Sequence, residues 1–297
     1  MSPERSGSHA RVYLAMFATI LIWSLNYIFA KAALGYLDAL AFNALRYPIA
    51  AMIVLIWWRW KATPQPLDKR HLIVMLLVGL WGYGVYQILF IQGLHYTTAG
   101  NSALFGSTAP LWTAVIGLVL GRERLGKLSW AGIALAFVGV SFVIIGGQAH
   151  VSINPGQTLG DLLSLSAALV WASFTVLSKA PLARHSYSQF VAFGVTAGAV
   201  LLLISGGPSL FTVRWDLIPW WVYLVIIFSG ALSNALAYLV WANAVAKVGS
   251  ARTAIFLNLT PVITLSLGVL ALHEPIAWVQ IVGAAGVLLG VWLTARS

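Results

Sequence analysis

Polar and aromatic residues recur about one helical turn apart inside several apolar segments of the chain. Asn101 and Phe105 are four residues apart in one segment, and Asn234 and Tyr238 repeat that spacing in another, so each pair shares one helical face. Such faces, brought together, form an apolar, aromatic pocket with a few amides and hydroxyls, the usual build of a small-molecule site. On this ground the candidate substrate-binding residues are Trp23, Asn26, Tyr83, Tyr86, Asn101, Phe105, Trp171, Asn234, Tyr238 and Asn258. The alternative for each is packing against, or hydrogen bonding to, a neighbouring helix.

Arg46 is the outstanding charge within an apolar segment. It lies eight residues beyond Asp38, which is roughly 12 Å along a helix. Arg46 is a further candidate for substrate binding, because its guanidinium could meet a substrate carboxylate. It could equally extend to the membrane surface or bind carbonyl oxygens at a helix end, and this structural role is the favoured one.

The acidic residues limit the chemistry that these segments can perform. All seven fall in tails, loops or segment ends: Glu4, Asp38, Asp68, Glu123, Asp161, Asp216 and Glu274. A proton-coupled pump or a carrier of cations is expected to place a carboxylate in mid-membrane. We therefore expect transport down a gradient, without a buried proton relay. With no cysteine, and with no nucleophile–base set or metal cluster, the sequence predicts neither an enzyme nor a metal or cofactor site.

The segments that carry these residues are long enough to cross a membrane. The chain is 60% hydrophobic and 8% charged, whereas soluble domains carry about 25% charged residues. A bilayer core of ~30 Å requires roughly 20 apolar helical residues. Ten segments qualify, at 11–33, 39–58, 71–92, 98–120, 128–146, 158–178, 187–205, 218–242, 250–271 and 276–294. The predicted fold is an all-α integral membrane protein with ten transmembrane helices.

The basic residues predict the orientation of these segments. With the N-terminus in the cytoplasm, Lys31 and Arg46 fall within spans and Arg214 falls outside, so 14 of the 17 Lys and Arg residues lie inside. This asymmetry follows the positive-inside rule and places both termini in the cytoplasm. The net charge of +10 is then explained by topology and by anionic membrane lipid. Nucleic acid is not an expected partner, because the basic residues are spread over several loops.

The sequence repeats internally. Pro110 and Pro261 lie in mid-segment and are 151 residues apart, and residues around them recur at the same offset. Each half holds five spans, an odd number, so the halves are predicted to enter the bilayer in opposite senses. This arrangement is characteristic of carriers with alternating access. We assign residues 1–146 to the first repeat, 147–157 to a periplasmic linker and 158–297 to the second repeat.

The two prolines are the candidate hinges. Proline cannot donate a backbone hydrogen bond, and its ring displaces the carbonyl four residues earlier. The carbonyls freed by Pro110 and Pro261 belong to Gly106 and Leu257, and in lipid they need neighbouring helices, polar side chains or water. We expect kinked spans beside a wet cavity; the alternative is a static packing kink.

One further set of residues carries a family resemblance. The run His273-Glu274-Pro275-Ile276, followed by Gln280, Gly283, Gly286 and Gly290, resembles the closing signature of the EamA repeat. Glu123, Gly132 and Gly139 resemble a worn copy of it in the first half. Along nearly its whole length the chain resembles the ten-span exporters of the drug/metabolite transporter superfamily. Within that superfamily it is most similar to the bacterial YddG-type exporters of aromatic and other amino acids.

The resemblance implies a specific architecture and specific contacts. It implies an inverted five-plus-five bundle whose third, fourth, eighth and ninth spans line a central cavity, with the first and sixth beside it. Trp171 and Tyr83 would touch the substrate. Glu123 and Glu274 would organise helical hairpins rather than bind cargo.

The sequence and the resemblance together predict a monomeric exporter of amino acids in the bacterial inner membrane. The expected substrates include aromatic and hydrophobic amino acids, carried by uniport with alternating access. One alternative is an exporter of drugs or other small metabolites, such as nucleotide sugars, although Arg46 alone would have to meet the phosphates. Another is a membrane-embedded structural or signalling partner that transports nothing.

Overall fold

The computed structural model describes residues 3–61, 68–119, 126–146, 155–248, 253, 256–274 and 276–296. Throughout these ranges the regular structure is helical, and no strand occurs in them. Seven helices are long and apolar enough to cross a membrane, and three shorter apolar helices bring the number in the described ranges to ten. The prediction of an all-helical membrane protein with ten apolar helices is confirmed. Glu123, Pro275 and residues 147–154 of the predicted linker lie outside the described ranges.

Six of the helices run without interruption over their described length. They are α1 (Pro3–Ala33), α2 (Ala39–Lys61), α5 (Lys127–Gly146), α6 (Pro155–Arg184), α7 (Tyr187–Leu210) and α10 (Trp278–Arg296).

Several helix ends differ from the prediction, and those of α6 and α7 are examples. α6 begins at Pro155, inside the segment predicted as linker, and continues past the predicted end at residue 178 to Arg184. α7 continues past the predicted end at residue 205 to Leu210. The predicted segments ended where apolar residues give way to charge or glycine, but a helix can extend from the membrane into water. The next helix starts only where the hydroxyl of Ser186 accepts a hydrogen bond from the backbone of Gln189 at 3.3 Å.

The other four helices are interrupted. α3 consists of Lys69–Gly79, the π-helical Leu80–Val85 and Tyr86–Tyr96, and α8 of Trp220–Phe228, the π-helical Ser229–Leu236 and Ala237–Val248. α4 consists of Ala99–Gly106 and Ala109–Val119, and α9 of the 3₁₀ turn Phe256–Asn258 followed by Leu259–Leu272. The interruptions in α3 and α8 fall at equivalent positions of the repeat, as do those in α4 and α9.

The break in α4 follows from its proline. Pro110 has no N–H to donate to the carbonyl of Gly106, and the helix restarts only at Ala109. The hydroxyls of Ser107 and Thr108, which lie in the break, donate at 2.6 Å to carbonyl oxygens three residues earlier, so these two buried hydroxyls are satisfied. In the second half, the helical segment of α9 begins two residues before Pro261. Whether these breaks act as hinges stays a prediction.

The two repeats pack through equivalent helices. α5 packs against α10 and α2 against α7, while α3 contacts α6 just as α8 contacts α1. Gly132 of α5 lies against Gly290 of α10, and Gly139 lies against Gly283. The residue numbers rise along one helix and fall along the other, so α5 and α10 run antiparallel. Because Gly132 is equivalent to Gly283 and Gly139 to Gly290, exchanging the two repeats converts each of these contacts into the other.

The outer surface of the bundle is largely apolar. Leu14, Ile204 and Leu270 are each at least 70% exposed, which suits contact with lipid chains. Trp60 and Trp220 are exposed close to helix ends, where tryptophan is enriched at membrane interfaces.

Candidate functional site

A cavity lies between the repeats, beside the interrupted helices. Its lining comes from α1, α3, α4, α6, α8 and α9. The space open to the centres of water molecules is about 70 Å³. One water needs roughly 10–15 Å³ of such space. The cavity therefore has room for several waters, and a larger guest must widen it.

Six of the predicted site residues line this cavity together. They are Trp23, Asn26, Tyr86, Trp171, Asn234 and Tyr238. They come from four helices that the sequence separates by up to 215 residues, so the fold brings them together.

Aromatic rings form one wall of the cavity. The ring of Trp171 lies 5.0 Å from that of Tyr86, 6.4 Å from that of Trp23 in an edge-on arrangement, and 6.0 Å from the stacked ring of Tyr238. The indole N–H of Trp23 donates to the backbone carbonyl of Ser233 at 3.0 Å, which holds α1 against the π-helix of α8. Such rings offer faces to an apolar side chain and, through their quadrupoles, to a cation.

Amides and hydroxyls form the polar part of the lining. The side-chain amide of Gln87 donates to the hydroxyl of Tyr238 at 2.8 Å, and the hydroxyl of Ser229 donates to Asn26. Two buried lining groups, Asn234 Nδ2 and Thr260 Oγ1, have no hydrogen-bond partner among the described residues. Buried polar groups are normally paired. These two are thus suited to hydrogen bonding with water or with a polar guest.

Arg46 lies behind this polar lining and is fully buried. Its Nε and Nη2 donate to Asn43 Oδ1 at 2.9 and 2.8 Å, and Nη2 also donates to Gln87 Oε1 at 2.6 Å. The guanidinium carbon lies 5.0 Å from the ring centre of Phe42. Arg46 therefore does not extend to the membrane surface, and it is not part of the lining; it contacts the lining residue Gln87.

A hydrogen-bonded cluster joins helices at one end of the cavity. Lys31 donates to the backbone carbonyls of Leu94, His95 and Thr97 at 2.5–2.9 Å. The hydroxyl of Thr97 donates to Asp161, which is 1% exposed. Asp161 stands near the start of α6, as the sequence predicts, but it is buried rather than solvated. This cluster ties α1 and α6 to the turn between α3 and α4.

Two residues of the EamA-like signature complete the cluster. Glu274 accepts hydrogen bonds from the backbone N–H groups of Ala99 at 2.7 Å and Gly100 at 3.3 Å, at the N-terminus of α4. A carboxylate is stabilised there by the helix dipole. Gln280 donates to Asn101 Oδ1 at 3.0 Å. The glutamate thus joins the α9–α10 turn to α4.

The remaining predicted site residues do not line the cavity. Tyr83 packs behind the lining, with its ring 4.8 Å from that of Tyr238. Asn101 belongs to the end cluster, and Phe105 is fully buried in an apolar cluster that includes residues of α5 and α10. Asn258 is half-buried beside the lining residue Leu257, and its Oδ1 has no hydrogen-bond partner in the described segments.

Several lining residues were not among the candidates. They include Tyr27, Phe90, Ser233 and Thr260. Helical spacing could have found Tyr27 and Phe90, which lie one turn from Trp23 and Tyr86. Ser233 is different, because the π-helix rotates α8 locally and no residue type in the sequence signals a π-helix.

Ten apolar helices, six of which line a cavity between two repeated halves, define a polytopic membrane protein that can enclose a small molecule. The chain matches the EamA-like transporter family twice, over residues 10–145 and 158–296. It therefore belongs to the EamA-like transporter family and is a membrane transporter with two EamA repeats.

Similar proteins cover nearly the whole chain. The uncharacterized transporter YyaM of Bacillus subtilis is 29% identical over 97% of this chain and 94% of its own. An uncharacterized transporter of Archaeoglobus fulgidus is 29% identical over 96% and 98%. A probable amino-acid metabolite efflux pump of Salmonella typhimurium is 26% identical over 95% and 93%. A solved crystal structure, 19% identical, covers 96% of this chain and 98% of its own with a TM-score of 0.68, which shows a shared fold.

Proposed function

We propose that this transporter exports amino acids across the bacterial inner membrane by alternating access, in the manner of the YddG-type exporters. The observation that carries the proposal is the cavity between the repeats. Its aromatic wall suits an apolar side chain, and its amides and hydroxyls suit a polar head group. The similar efflux pump of Salmonella typhimurium, whose name refers to amino-acid metabolites, agrees with this substrate class.

The helix interruptions support alternating access. Four interrupted helices reach the cavity, and broken helices near the midplane are typical of carriers whose repeats rock around a fixed site. A helix can bend at its interruption while the helical segments on either side stay intact. The antiparallel pairing of α5 and α10 through equivalent glycines supports opposite threading of the two repeats.

The cluster around Lys31 and Glu274 supports a closed outer end. With both termini in the cytoplasm, as the basic residues predict, this cluster lies on the periplasmic side. Opening toward the periplasm would then require the contacts of Asp161 with Thr97 and of Glu274 with Ala99 to separate.

The acids of the described residues favour uniport. None of them lines the cavity, so no carboxylate there is in place to carry a proton along with the substrate. The chain already holds both halves of the cavity, which supports a monomer as the transporting unit.

Efflux from proteoliposomes tests this proposal. Vesicles containing the purified protein are loaded with radiolabelled threonine, methionine or tryptophan, and efflux is compared with that from protein-free vesicles, with and without an imposed pH gradient. We expect faster efflux, most of all for tryptophan, and no dependence on the gradient beyond that of the lipid. If no amino acid leaves faster than from protein-free vesicles, the substrate assignment is wrong. Drugs and other metabolites would then be the next substrates to test.

Trp171→Ala links such efflux to the cavity. We expect it to weaken the apparent affinity roughly tenfold or more, because truncating a buried aromatic anchor costs ~2 kcal/mol. Trp220→Ala is the matched control, since Trp220 is 74% exposed on the outside of α8. If the two substitutions affected efflux equally, the substrate would not pass through this cavity.

A further inference from the structure

Arg46 carries a buried charge for which the described part of the chain supplies no carboxylate. Its partners there are the amide oxygens of Asn43 and Gln87 and the faces of aromatic rings. Within the described ranges its Nη1 has no hydrogen-bond partner, and both ion pairs found there lie elsewhere. A guanidinium keeps its proton in proteins, and a buried charge without a counter-ion is costly. The positive charge therefore remains available to an anion that enters from outside the chain.

Gln87 connects this charge to the cavity in one fixed orientation. Its Oε1 accepts from Arg46, which has no acceptor atoms, so its Nε2 must face Tyr238. The hydroxyl oxygen of Tyr238 accepts from Gln87, which leaves the hydroxyl hydrogen for Tyr47, 3.1 Å away, or for a guest. Arg46 thereby makes this wall of the cavity a donor of hydrogen bonds.

Other lining groups have the same character. In the part of the chain that the structure describes, Nδ2 of Asn234 is a buried donor without a partner, and the unpaired hydroxyl of Thr260 can donate as well. No acid of the described residues lines the cavity to balance them. The rings of Trp23 and Trp171 lie beside them, 6.2 and 6.0 Å from the ring of Tyr238. The cavity thus combines hydrogen-bond donors near a positive charge with an apolar aromatic surface.

We propose that the transporter selects substrates by a carboxylate placed against Gln87 and Tyr238, with Arg46 as the positioning residue that orients Gln87 and supplies the field. The substrate class is then small carboxylates with an apolar side chain, for which an α-ammonium group is not required. Amino acids are one case of this class, and the proposal rests on transport through this cavity, as in the proposed function.

Three ligands with the same phenyl group separate the contributions of the two head groups. Phenylalanine carries a carboxylate and an ammonium, 3-phenylpropionate carries the carboxylate alone, and phenethylamine carries the ammonium alone. Their binding to the detergent-purified, full-length protein is measured by isothermal titration calorimetry, which requires no turnover. We expect the two carboxylates to bind at least roughly tenfold more tightly than the amine, the gain typical of hydrogen bonds that involve charge.

Two variants test the role of Arg46. Arg46→Gln removes the charge, and we expect the preference for carboxylates to fall to within a few-fold. Gln87→Glu keeps the size of the side chain and places a carboxylate at the position that lies 2.6 Å from Arg46 Nη2. This variant supplies the missing counter-ion, so it should fold even if Arg46→Gln does not, and it should abolish the preference or reverse it toward the amine.

The matched control is Arg214→Gln. Arg214 is exposed between α7 and α8 and pairs with Asp216 at 3.0 Å. Its loss removes one positive charge from the protein without touching the cavity, so the preference should stay at its native value. A lost preference in this control would show that net charge, not Arg46, sets the selectivity.

The outcomes separate this proposal from the proposed function. Native protein that binds phenethylamine as tightly as 3-phenylpropionate overturns the role of Arg46, and so does a folded Gln87→Glu variant with the native preference. Amino-acid efflux would still stand in both cases. Conversely, Arg46-dependent binding of 3-phenylpropionate without efflux of any amino acid supports carboxylate selection and refutes amino-acid export.

Discussion

Gln87 and Tyr238 occupy equivalent positions in the two repeats, 151 residues apart, and hydrogen-bond to each other at 2.8 Å across the interface of the repeats. Trp23 and Trp171, also equivalent, meet edge-on beside them. The cavity therefore lies where the two copies of the duplicated unit face one another. Since one copy carries an amide and the other a phenol at this position, the site itself is asymmetric although the fold repeats.

The hydroxyl of Tyr238 holds this contact together. Tyr238→Phe would leave the Nε2 group of Gln87 without its acceptor and Tyr47 without its partner. We expect a loss of about 1–3 kcal/mol in the free energy of unfolding, because a buried donor is left unpaired. Thermal denaturation in detergent measures it, with Tyr223→Phe as the control, since Tyr223 is 40% exposed on the same helix. Equal stability of the two variants would mean that water replaces the lost hydroxyl.

Gly139 and Gly283 allow α5 and α10 to approach closely. A Cβ atom on Gly139 would lie 2.6 Å from the carbonyl oxygen of Gly283, which is too close without a shift of the backbone. We expect Gly139→Ala to destabilise the protein by about 1–3 kcal/mol. Gly207→Ala is the control, because a Cβ there meets nothing within 4 Å, and alanine is the better helix former. Melting temperatures of the two variants test this expectation. If Gly139→Ala melts no lower than Gly207→Ala, the contact between α5 and α10 is looser than described.

The sequence predicts the scaffold well because its signals are local and strong. The length of the apolar segments predicts the helices, and the matched prolines predict the break in α4. The sequence predicts the site less completely than the scaffold. Trp23, Trp171 and Tyr238 could be chosen because each is a large aromatic residue within an apolar span. Phe105 has the same spacing as Tyr238 but lies in an apolar cluster with residues of α5 and α10 and not at the cavity, since periodicity defines a face and does not say which neighbour covers it.

Arg46 shows why burial cannot be deduced from the sequence alone. A lone arginine in an apolar span suggests extension to the membrane surface, but Asn43 and Gln87 bind its guanidinium inside the bundle. Asn43 is one helical turn away and visible in the sequence. Gln87 lies on another helix, and only the tertiary fold brings it within 2.6 Å.

Pro110 is expected to matter for motion more than for stability. Pro110→Ala restores the N–H that could bond to the carbonyl of Gly106 and close the break in α4. We expect the transport rate to fall about tenfold, which corresponds to about 1.4 kcal/mol on the rate-limiting step, while the melting temperature stays the same or rises. Pro48→Ala is the control, because Pro48 lies inside the uninterrupted helix α2. If the Pro110→Ala variant transports at the native rate, the break in α4 is a static kink and not a hinge.

The loop between α6 and α7 should confer a pH dependence. Burial and the neighbouring His71, whose ring centre is 5.0 Å away, lower the pKa of His185 below its ordinary value of about 6.5. The unfolded chain then binds the proton more readily, so the free energy of unfolding falls as the pH drops below about 6.5. His185→Phe should flatten this part of the profile. Melting temperatures of both proteins from about pH 8 to about pH 5 measure it, and parallel profiles would contradict the assignment.

Labelling of single introduced cysteines tests whether the two repeats cross the membrane in opposite directions, because the native chain has no cysteine. Gly126 lies between α4 and α5, with nothing within 4 Å of its Cβ position, and Ile276 lies at the equivalent turn between α9 and α10, 39% exposed. We expect a membrane-impermeant maleimide to label Ile276→Cys in intact cells, and Gly126→Cys only after the inner membrane is opened. A third variant, Asp216→Cys, calibrates labelling on the expected periplasmic side, since Asp216 precedes α8. Labelling of Gly126→Cys and Ile276→Cys from the same side would place both repeats in one orientation, and the equivalence of α5 and α10 would then need a different explanation.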